Sequence, residues 1–305
     1  MTIEALGIAV EPGRDLPLDS HLHTDLSPDS DVPIDVYAAL AVEQGIAELA
    51  ITDHVDFDAR DPAYDFATVA DRERSVRDAA ERWAPHGVEI RFGAELTYNR
   101  AWEADLRGHL ARHRYDFTIG SVHDWPDSPY VPSRVRTWAT GRQLDEVLAP
   151  YLAEVAAAAG SGLFDTIGHL DVVRRYLHGS VSAEQIFGAV ELFEPALRAL
   201  VESGTALEIN TSGYRREGGE AYPGPPLIVR YHELGGRAVT VGSDAHRKGH
   251  FASGLEAGYR VLAEAGFPAI AFRRGGDRVA IALPGRVRGQ ERPAASPNAG
   301  RVGSL

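Results

Sequence analysis

Short apolar segments recur along the chain, several of them rich in β-branched residues, and each ends in polar residues. Buried parallel strands read as continuous apolar runs of this kind, whereas half-buried strands alternate between apolar and polar positions. The pattern therefore predicts seven strands, at 16–20, 49–52, 89–94, 116–121, 164–168, 206–210 and 238–242.

Stretches with apolar residues spaced near 3.6 lie between these strands and predict helices. The clearest are 33–44, 66–83, 143–159, 182–203 and 225–234. Pro33 suits a first helical turn, and Ser182 precedes Gln185 by the three residues of a capping box. Gly45, Gly160 and Gly204 follow helical runs, where left-handed C-caps are expected.

Strands and helices alternate along most of the chain, which predicts an α/β fold with a parallel sheet. Periodicity alone leaves open whether that sheet is doubly wound or closed into a barrel. Segments 269–273 and 279–283 are each compatible with a short helix or a strand. Residues 284–305 are rich in Gly, Pro, Arg and Ser, so we expect one folded domain over 1–283 and a disordered tail over 284–305.

The composition narrows the possible chemistry. The 305 residues include 31 Lys and Arg against 44 Asp and Glu, a formal charge of −13, which disfavours a broad nucleic-acid surface. The chain has no cysteine, so disulfides, thiolate metal sites and cysteine nucleophiles are excluded. No apolar run has the length of a membrane span, and residues 1–10 lack the charge order of a secretory signal. We therefore expect a cytoplasmic protein without a membrane partner.

Histidines gather at one kind of position. Six of the twelve lie at or just after the C-terminal ends of predicted strands: His21, His23, His54, His123, His169 and His246. Glu95 follows the third strand, and Asp244 precedes His246 by two residues. Because the C-terminal ends of parallel strands share one face in both candidate architectures, these side chains are expected to meet there. The other histidines are predicted to be solvated surface groups.

Each of these motifs taken alone has a simpler structural explanation. His21 and His23 fit two solvated side chains as well as two ligands that point to the same side of an extended segment, and Asp53 fits a helix cap. Taken together, so many imidazoles and carboxylates without a cation would suffer desolvation and charge repulsion. Nitrogen and oxygen donors without sulfur suit Zn²⁺, Mn²⁺ or Fe, and their number predicts at least two ions.

Six sequence blocks in this order resemble the polymerase and histidinol phosphatase (PHP) superfamily. They are His21-Leu22-His23-Thr24, Ile51-Thr52-Asp53-His54, Gly93-Ala94-Glu95, Gly120-Ser121-Val122-His123, Gly168-His169-Leu170-Asp171 and Gly242-Ser243-Asp244-Ala245-His246. Residues 207–215 with Tyr222 and Pro223 resemble the histidinol-phosphate phosphatase family within it. The resemblance covers residues 18–268 and implies a distorted (β/α)7 TIM-like barrel with two to three divalent metal ions at the C-terminal ends of its strands.

The resemblance also implies three ligand sets. They are His21, His23, Glu95 and Asp244 for the first ion, Glu95 as a bridge with His123 and His169 for the second, and His54, His246 and Asp29 for the third. Many family members have a histidine where this chain has Asp29. A carboxylate can also ligate, but the difference bears on the identity and occupancy of the third ion.

The activity that the resemblance implies is metal-dependent hydrolysis of L-histidinol phosphate to L-histidinol and phosphate in histidine biosynthesis. We expect a hydroxide that bridges two metal ions to attack phosphorus in line, without a covalent phosphoenzyme. The residues expected to take part in catalysis are Glu95, Asp244, His246, Arg175 and Arg215.

Residues around the metal ligands are expected to bind the small phosphorylated substrate. The resemblance points to Arg175 and Arg215, which offer bidentate recognition of phosphate, although each fits an ordinary surface arginine as well. Trp125, in the segment 125–142, is expected to contact the substrate as part of a lid, or to be plain packing. Asp53 and Asp171 are expected to orient imidazole ligands from behind.

Three other functions use some of the same features. A PHP phosphoesterase for another small ester, such as a sugar phosphate or a nucleotide, would share the metal ligands. A non-catalytic accessory domain of a DNA polymerase would be expected to have a basic surface, which this acidic chain lacks. A metal-dependent amidohydrolase would be expected to use a lysine ligand after a middle strand, whereas the only lysine here is Lys248.

Overall fold

The computed structural model describes residues 10–11, 16–216, 219–274, 276–285 and 287. Its strands are β1 (Val10–Glu11), β2 (Leu16–Leu22), β3 (Ile46–Ile51), β4 (His54–Val55), β5 (Glu89–Thr97), β6 (Phe117–Ser121), β7 (Thr166–Ile167), β8 (Ala206–Asn210), β9 (Val239–Gly242), β10 (Ala269–Arg274) and β11 (Asp277–Ala282). Its α-helices are α1 (Ile34–Gln44), α2 (Val69–Trp83), α3 (Glu103–Arg112), α4 (Val135–Ala139), α5 (Leu144–Gly160), α6 (Val173–Tyr176), α7 (Ala183–Phe187), α8 (Glu194–Ser203), α9 (Pro225–Glu233) and α10 (Leu255–Glu264).

Seven parallel strands form the main sheet in the order β2-β3-β5-β6-β7-β8-β9, and the short β4 pairs with β5. The two outer strands meet beyond their C-terminal ends through a parallel bridge between Leu22 and Ala245. The His23 amide donates to the Ala245 carbonyl at 3.0 Å, and the Asp244 amide donates to the His21 carbonyl at 2.8 Å. The sheet is therefore a nearly closed seven-stranded barrel, which confirms the predicted fold class and excludes the open doubly wound sheet.

All seven predicted strands are present, with shifted ends. β5 continues three residues past the predicted end at 94, and β7 is shorter than 164–168. The prediction of one helix over 182–203 is wrong, because this segment divides into α7, a 3-10 helix at Val190–Phe193 and α8. The break lies at Gly188 and Ala189, between the end of α7 and the 3-10 helix, which runs directly into α8. Pro195 lies in the first turn of α8, where its missing N–H has no helical partner to lose.

Several of the predicted helix ends are confirmed. Ser182 and Gln185 form the reciprocal capping box, and Gly45 and Gly204 end their helices with φ of 69° and 72°. Gly160 lies inside α5 instead of capping it. Pro33 is the N-cap of α1 rather than part of its first turn.

A second, smaller sheet covers the opposite end of the barrel from the C-terminal strand ends. β10 and β11 are antiparallel strands, and β1 pairs with β11 in parallel. The Phe272 ring lies 4.7 Å from that of Phe117 at the start of β6, and Arg274 pairs with the buried Glu48 at 2.6 Å. The segments that fitted helix or strand are thus both strands.

Most of the predicted tail, 284–305, lies outside the described residues. Within its described part Val287 is buried, and its amide donates to the Pro284 carbonyl at 3.0 Å. No helix in the described ranges combines the length and the apolar composition that crossing a membrane requires.

Tyr37 of α1 connects the two outer strands at the point of closure, and replacing it with Phe tests that connection. Its side chain is fully buried, and its hydroxyl lies 3.0 Å from the His23 carbonyl and 2.9 Å from the Ala245 carbonyl. We expect Tyr37→Phe to lower the free energy of unfolding by about 1–2 kcal/mol, because a buried hydrogen bond is lost and its acceptor stays buried. Urea unfolding measures this change. Tyr64→Phe, at a residue 42% exposed, is the control, and equal effects of the two variants would contradict the closure role.

Candidate metal centre

The end of the barrel where the strands terminate gathers the predicted ligands. β2 carries His21 at its end, with His23 just after it, while β5 carries Glu95. The segments after β6, β7 and β9 carry the others: His123, His169, Asp244 and His246. His54 begins β4, and Asp29 lies in the loop before α1. Segments far apart in sequence thus meet because parallel strands end on the same side.

Glu95 lies at the centre of the cluster and is 1% exposed. Five imidazoles face its two oxygens: His21 at 3.3 Å, His23 at 3.3 Å and His54 at 3.0 Å on Oε2, with His123 at 3.4 Å and His169 at 3.0 Å on Oε1. A carboxylate flanked on both oxygens by ring nitrogens is an arrangement that suits bridging between cations.

Two further carboxylates complete the cluster. Asp244 Oδ1 lies 3.6 Å from His23 Nε2 and 3.2 Å from His246 Nδ1. Asp29 Oδ2 lies 2.9 Å from His246 Nε2 and 3.3 Å from His54 Nε2. The aspartate in place of the family's histidine therefore reaches the same two imidazoles as the predicted third set.

Three groups of donors are close enough to hold an ion each. They are His21, His23 and Glu95; His54, Glu95 and His123; and His23, Asp29, His54 and His246. The structure brings all nine predicted ligands together, but seven of them make up the three groups, with His54 in the second and His23 in the third. His169 and Asp244, expected in the second and first sets, lie beside the groups. His23 and His54 thus lie between neighbouring groups.

The orientation of the imidazoles fits divalent cations. The outer Nδ1 atoms of four rings face a protein oxygen: His21 faces Glu208 Oε1 at 2.6 Å, His23 faces Ser27 Oγ at 3.4 Å, His123 faces Thr97 Oγ1 at 3.3 Å, and His246 faces the Asp244 carbonyl at 3.1 Å. A proton on Nδ1 leaves the Nε2 lone pair directed inward, as metal ligation requires. His21 Nε2 and His23 Nε2 face each other at 3.0 Å, which suits two ligands of a shared ion.

Electrostatics favour an ionised Glu95 and a neutral His23. Burial lowers the pKa of His21 and His54, but the carboxylates beside them outweigh it and hold both pKa values well above the usual value, so a bound ion would replace their protons. Burial raises the pKa of Glu95, but the nearby His21 and His54 charges outweigh it and hold that pKa well below the usual range. Burial, together with the charges of His246 and His54, holds the pKa of His23 well below its usual value. An ionised carboxylate beside a neutral imidazole is the form that binds a metal ion.

Two of the predicted ligands have strained backbones. His169 has φ of 22° and Asp244 has φ of 52°, values that non-glycine residues seldom adopt and that cost about 1–3 kcal/mol each. A Cβ on Gly242, next to these ligands, would lie 2.4 Å from the Cβ of His21. The end of β9 therefore packs directly against a predicted ligand.

The two predicted phosphate-binding arginines differ in their surroundings. Arg215 is partly buried, and its two terminal nitrogens donate to the carbonyls of Ser243 at 2.8 Å and Asp244 at 2.9 Å. Arg175 is exposed on the short α6, and within the described part of the chain no hydrogen bond or ion pair engages its guanidinium. Arg175 is thus the freer of the two to bind a ligand.

Trp125 lies beside His123. Both residues line a small cavity, together with Asp56, Asp61 and Asp124. The Trp125 ring also packs edge-on against Tyr130, with centroids 6.2 Å apart, and Tyr130 packs in the same way on Trp138. The aromatic residues of segment 125–142 thus pack on one another.

The prediction that Asp53 and Asp171 orient imidazoles is wrong. Asp53 accepts hydrogen bonds from the Thr24 amide at 2.6 Å and its hydroxyl at 2.8 Å, and Asp171 pairs with Arg174 at 2.7 Å. The carboxylate that contacts an imidazole from behind is Glu208, which sequence reasoning did not single out. A signal was present, because a glutamate within the apolar run 206–210 must find a buried partner.

One histidine outside the cluster is less solvated than expected. His109 lies 2.8 Å from the Tyr115 hydroxyl, and burial lowers its pKa to about 4. It is therefore a packed, neutral side chain rather than a solvated surface group.

Comparisons with known proteins agree with this architecture. Residues 19–212 match the family model described as PHP domain. The probable histidinol-phosphatase of Deinococcus radiodurans is 30% identical over 84% of this chain and 96% of its own length, and that of Thermotoga maritima is 28% identical over 83% and 94%. The crystal structure of a histidinol phosphate phosphatase from Lactococcus lactis, complexed with zinc, L-histidinol and phosphate, has a TM-score of 0.74 at 23% identity, covering 88% of this chain and 99% of that one. At 23% identity, this structural similarity shows that the two proteins share a fold.

The position of Glu95 predicts the effect of replacing it with Gln. Glu95→Gln keeps the shape but removes the charge that faces five imidazoles, so we expect bound metal after dialysis to fall at least ~10-fold. Elemental analysis of the purified protein measures this, with Glu81→Gln as the control at an exposed site on α2. Metal content equal to that of the control would contradict the central role of Glu95.

Proposed function

This chain belongs to the PHP domain family, and on that premise we propose that it hydrolyses L-histidinol phosphate to L-histidinol and phosphate. The observation that carries the proposal is the cluster of nine histidines and acids on the C-terminal face of the barrel, in a chain that aligns with nearly the whole length of proteins named as histidinol-phosphatases. The solved relative that contains zinc, L-histidinol and phosphate supports the same substrate.

We propose that the cluster holds two to three divalent ions, with zinc, manganese or iron as candidates. Glu95 would serve more than one ion, Asp244 would complete the set of His21 and His23, and Asp29 would complete the set of His54 and His246. Ions at this position supply Lewis-acid polarisation of the phosphoryl oxygens and activation of water. The chain contributes the fixed arrangement of the donors and their low exposure, which strengthens electrostatic interactions with the phosphoryl group.

The arginines would divide the work of holding the phosphate. Arg175 has an unengaged guanidinium beyond β7, so it would bind the phosphoryl oxygens directly. Arg215 already donates to two carbonyls, one of them that of Asp244, so it would act mainly by holding the strained backbone of that ligand.

The acidic cavity beside His123 favours a substrate with a cationic end. Asp56 and Asp61 line it together with Trp125. The amino group of histidinol is positively charged, and its imidazole can also carry charge, so this lining complements histidinol in a way that it does not complement a sugar or a nucleotide. The cavity itself has a volume of about 10 Å³, room for one water molecule, so Trp125 would contact the substrate from its rim.

A substrate panel tests this function. With Zn²⁺ or Mn²⁺ added, kcat/KM for L-histidinol phosphate should exceed that for glycerol phosphate, a hexose phosphate and a nucleoside monophosphate by roughly 10- to 100-fold, the worth of one to two lost polar contacts. Phosphate release measures these rates, and a chelator-treated sample should lose them all. Comparable rates across the panel would instead support a phosphoesterase for another small ester.

Arg175→Ala tests direct phosphate binding. Because a charge-assisted hydrogen bond contributes about 1.5–3 kcal/mol, we expect kcat/KM for L-histidinol phosphate to fall roughly 10- to 100-fold with bound metal unchanged. Arg74→Ala, at a side chain 66% exposed on α2, is the matched control. Kinetics of Arg175→Ala that equal those of the control would remove Arg175 from the site.

A further inference from the structure

A buried carboxylate behind the metal cluster contacts two predicted ligands at once. Glu208 of β8 is fully buried. Its Oε1 lies 2.6 Å from His21 Nδ1, and its Oε2 accepts the backbone amide of His169 at 2.8 Å. The same side chain thus meets an imidazole from the β2 end and the backbone of a residue that follows β7.

Asn210, two residues along β8 and on the same face, extends this contact to a third ligand. Its Nδ2 donates to Glu208 Oε2 at 3.1 Å and to Asp244 Oδ2 at 3.2 Å. Its Oδ1 accepts from the Ser212 amide and hydroxyl, at 3.0 Å and 2.6 Å. These acceptor contacts fix the amide so that its NH₂ group faces the two carboxylates.

We propose that Glu208 and Asn210 form a positioning pair that holds His21, His169 and Asp244 in place. The pair would thereby set the affinity of the first and second metal sites, numbered as in the sequence analysis. The inference rests on the proposed metal sites, and not on the identity of the substrate. His21 and Asp244 belong to the first proposed set and His169 to the second, so a single glutamate couples ligands of two ions.

The hydrogen bonds to Glu208 explain why this position needs a carboxylate. Three donors converge on Glu208: His21 Nδ1–H, His169 N–H and Asn210 Nδ2–H. A carboxylate offers only acceptors, whereas glutamine offers one acceptor and one NH₂ donor. In one orientation that NH₂ group would face the backbone N–H of His169, so that two donors would meet without an acceptor. In the other it would face His21 Nδ1 and favour the tautomer whose Nε2 carries the proton and cannot ligate.

The packing around Glu208 leaves space for a carboxylate on both sides. A Cβ on Gly242 would lie 2.9 Å from Oε1, and a Cβ on Gly168 would lie 3.5 Å from Oε2. Both neighbouring strand ends therefore have a glycine beside this carboxylate, and the strained His169 backbone is held by its contact with Oε2. A carboxylate that served only to neutralise a buried charge would not need hydrogen bonds from all three of these donors.

Glu208→Gln tests the proposal through metal binding, measured in competition with a chelator on the full chain without substrate. We expect the apparent affinity to fall about 10- to 100-fold, the usual effect of removing a partner behind a ligand. The loss should affect the first and second ions, while the ion of Asp29, His54 and His246 should persist, since within the described residues that set has no hydrogen bond to Glu208. Elemental analysis at a chosen chelator concentration then finds fewer ions per chain.

Glu202→Gln, at an exposed position near the end of α8, is the matched control. Affinity and stoichiometry of Glu208→Gln within about twofold of this control would overturn the proposal, even if the variant were less stable to urea. Equal loss of all three ions would also overturn it, because it would indicate general disruption.

A second variant covers the case in which Glu208→Gln does not fold. Asn210→Asp keeps the size of the side chain but places a carboxylate oxygen against Glu208 and Asp244, so it should also weaken the first and second ions. Wild-type affinity in Asn210→Asp would overturn the proposal. Failure of the proposed function is distinguishable, because the wild-type chain would then bind metal in these experiments yet release no phosphate from L-histidinol phosphate.

Discussion

The structure depends on one electrostatic constraint, which is that Glu95 is ionised in an almost completely buried position. A lone buried carboxylate would take up a proton, but imidazoles on both of its oxygens hold the pKa of Glu95 well below its usual range. Those imidazoles come from strand ends around the barrel, so the carboxylate keeps its charge only when the barrel is assembled. The candidate site and the closure of the fold are thus linked through the same residues.

Stabilising contacts and the candidate metal ligands lie at opposite ends of the barrel. The hairpin of β10 and β11 covers the N-terminal ends of the strands with apolar contacts and with the Arg274–Glu48 pair. At the other end, His169 and Asp244 have left-handed backbones, a conformation that a looser structure would relax. Hydrogen bonds between the segments that follow the first and last strands, including those of Tyr37, hold this end closed and support the strained ligands.

The layer behind the predicted ligands shows how little residue type alone says about a role. Asp53, Asp171 and Glu208 are all buried acids: Asp53 and Asp171 follow strands, and Glu208 lies within β8. Asp53 orders the Thr24 turn and Asp171 binds an arginine, while Glu208 alone contacts an imidazole. Which donor each acid meets is decided by neighbouring strands that are distant in sequence, so local motifs assigned the role to the wrong two residues.

The chain's own pattern of residues determined the seven strands of the barrel, their parallel arrangement and the end of the sheet at which the histidines lie, because apolar run length and strand-end position are local properties. It also determined the chemical class of the candidate site, since without cysteine only nitrogen and oxygen donors remain. The tertiary structure alone decided that the sheet closes into a barrel, that the segment 182–203 breaks at Gly188 and Ala189, and how the donors divide into groups. The spacing of apolar residues is the same in open and closed sheets, so it cannot distinguish them. The distances between His54 and Asp29 and between Glu208 and His21 depend on how segments far apart along the chain pack together.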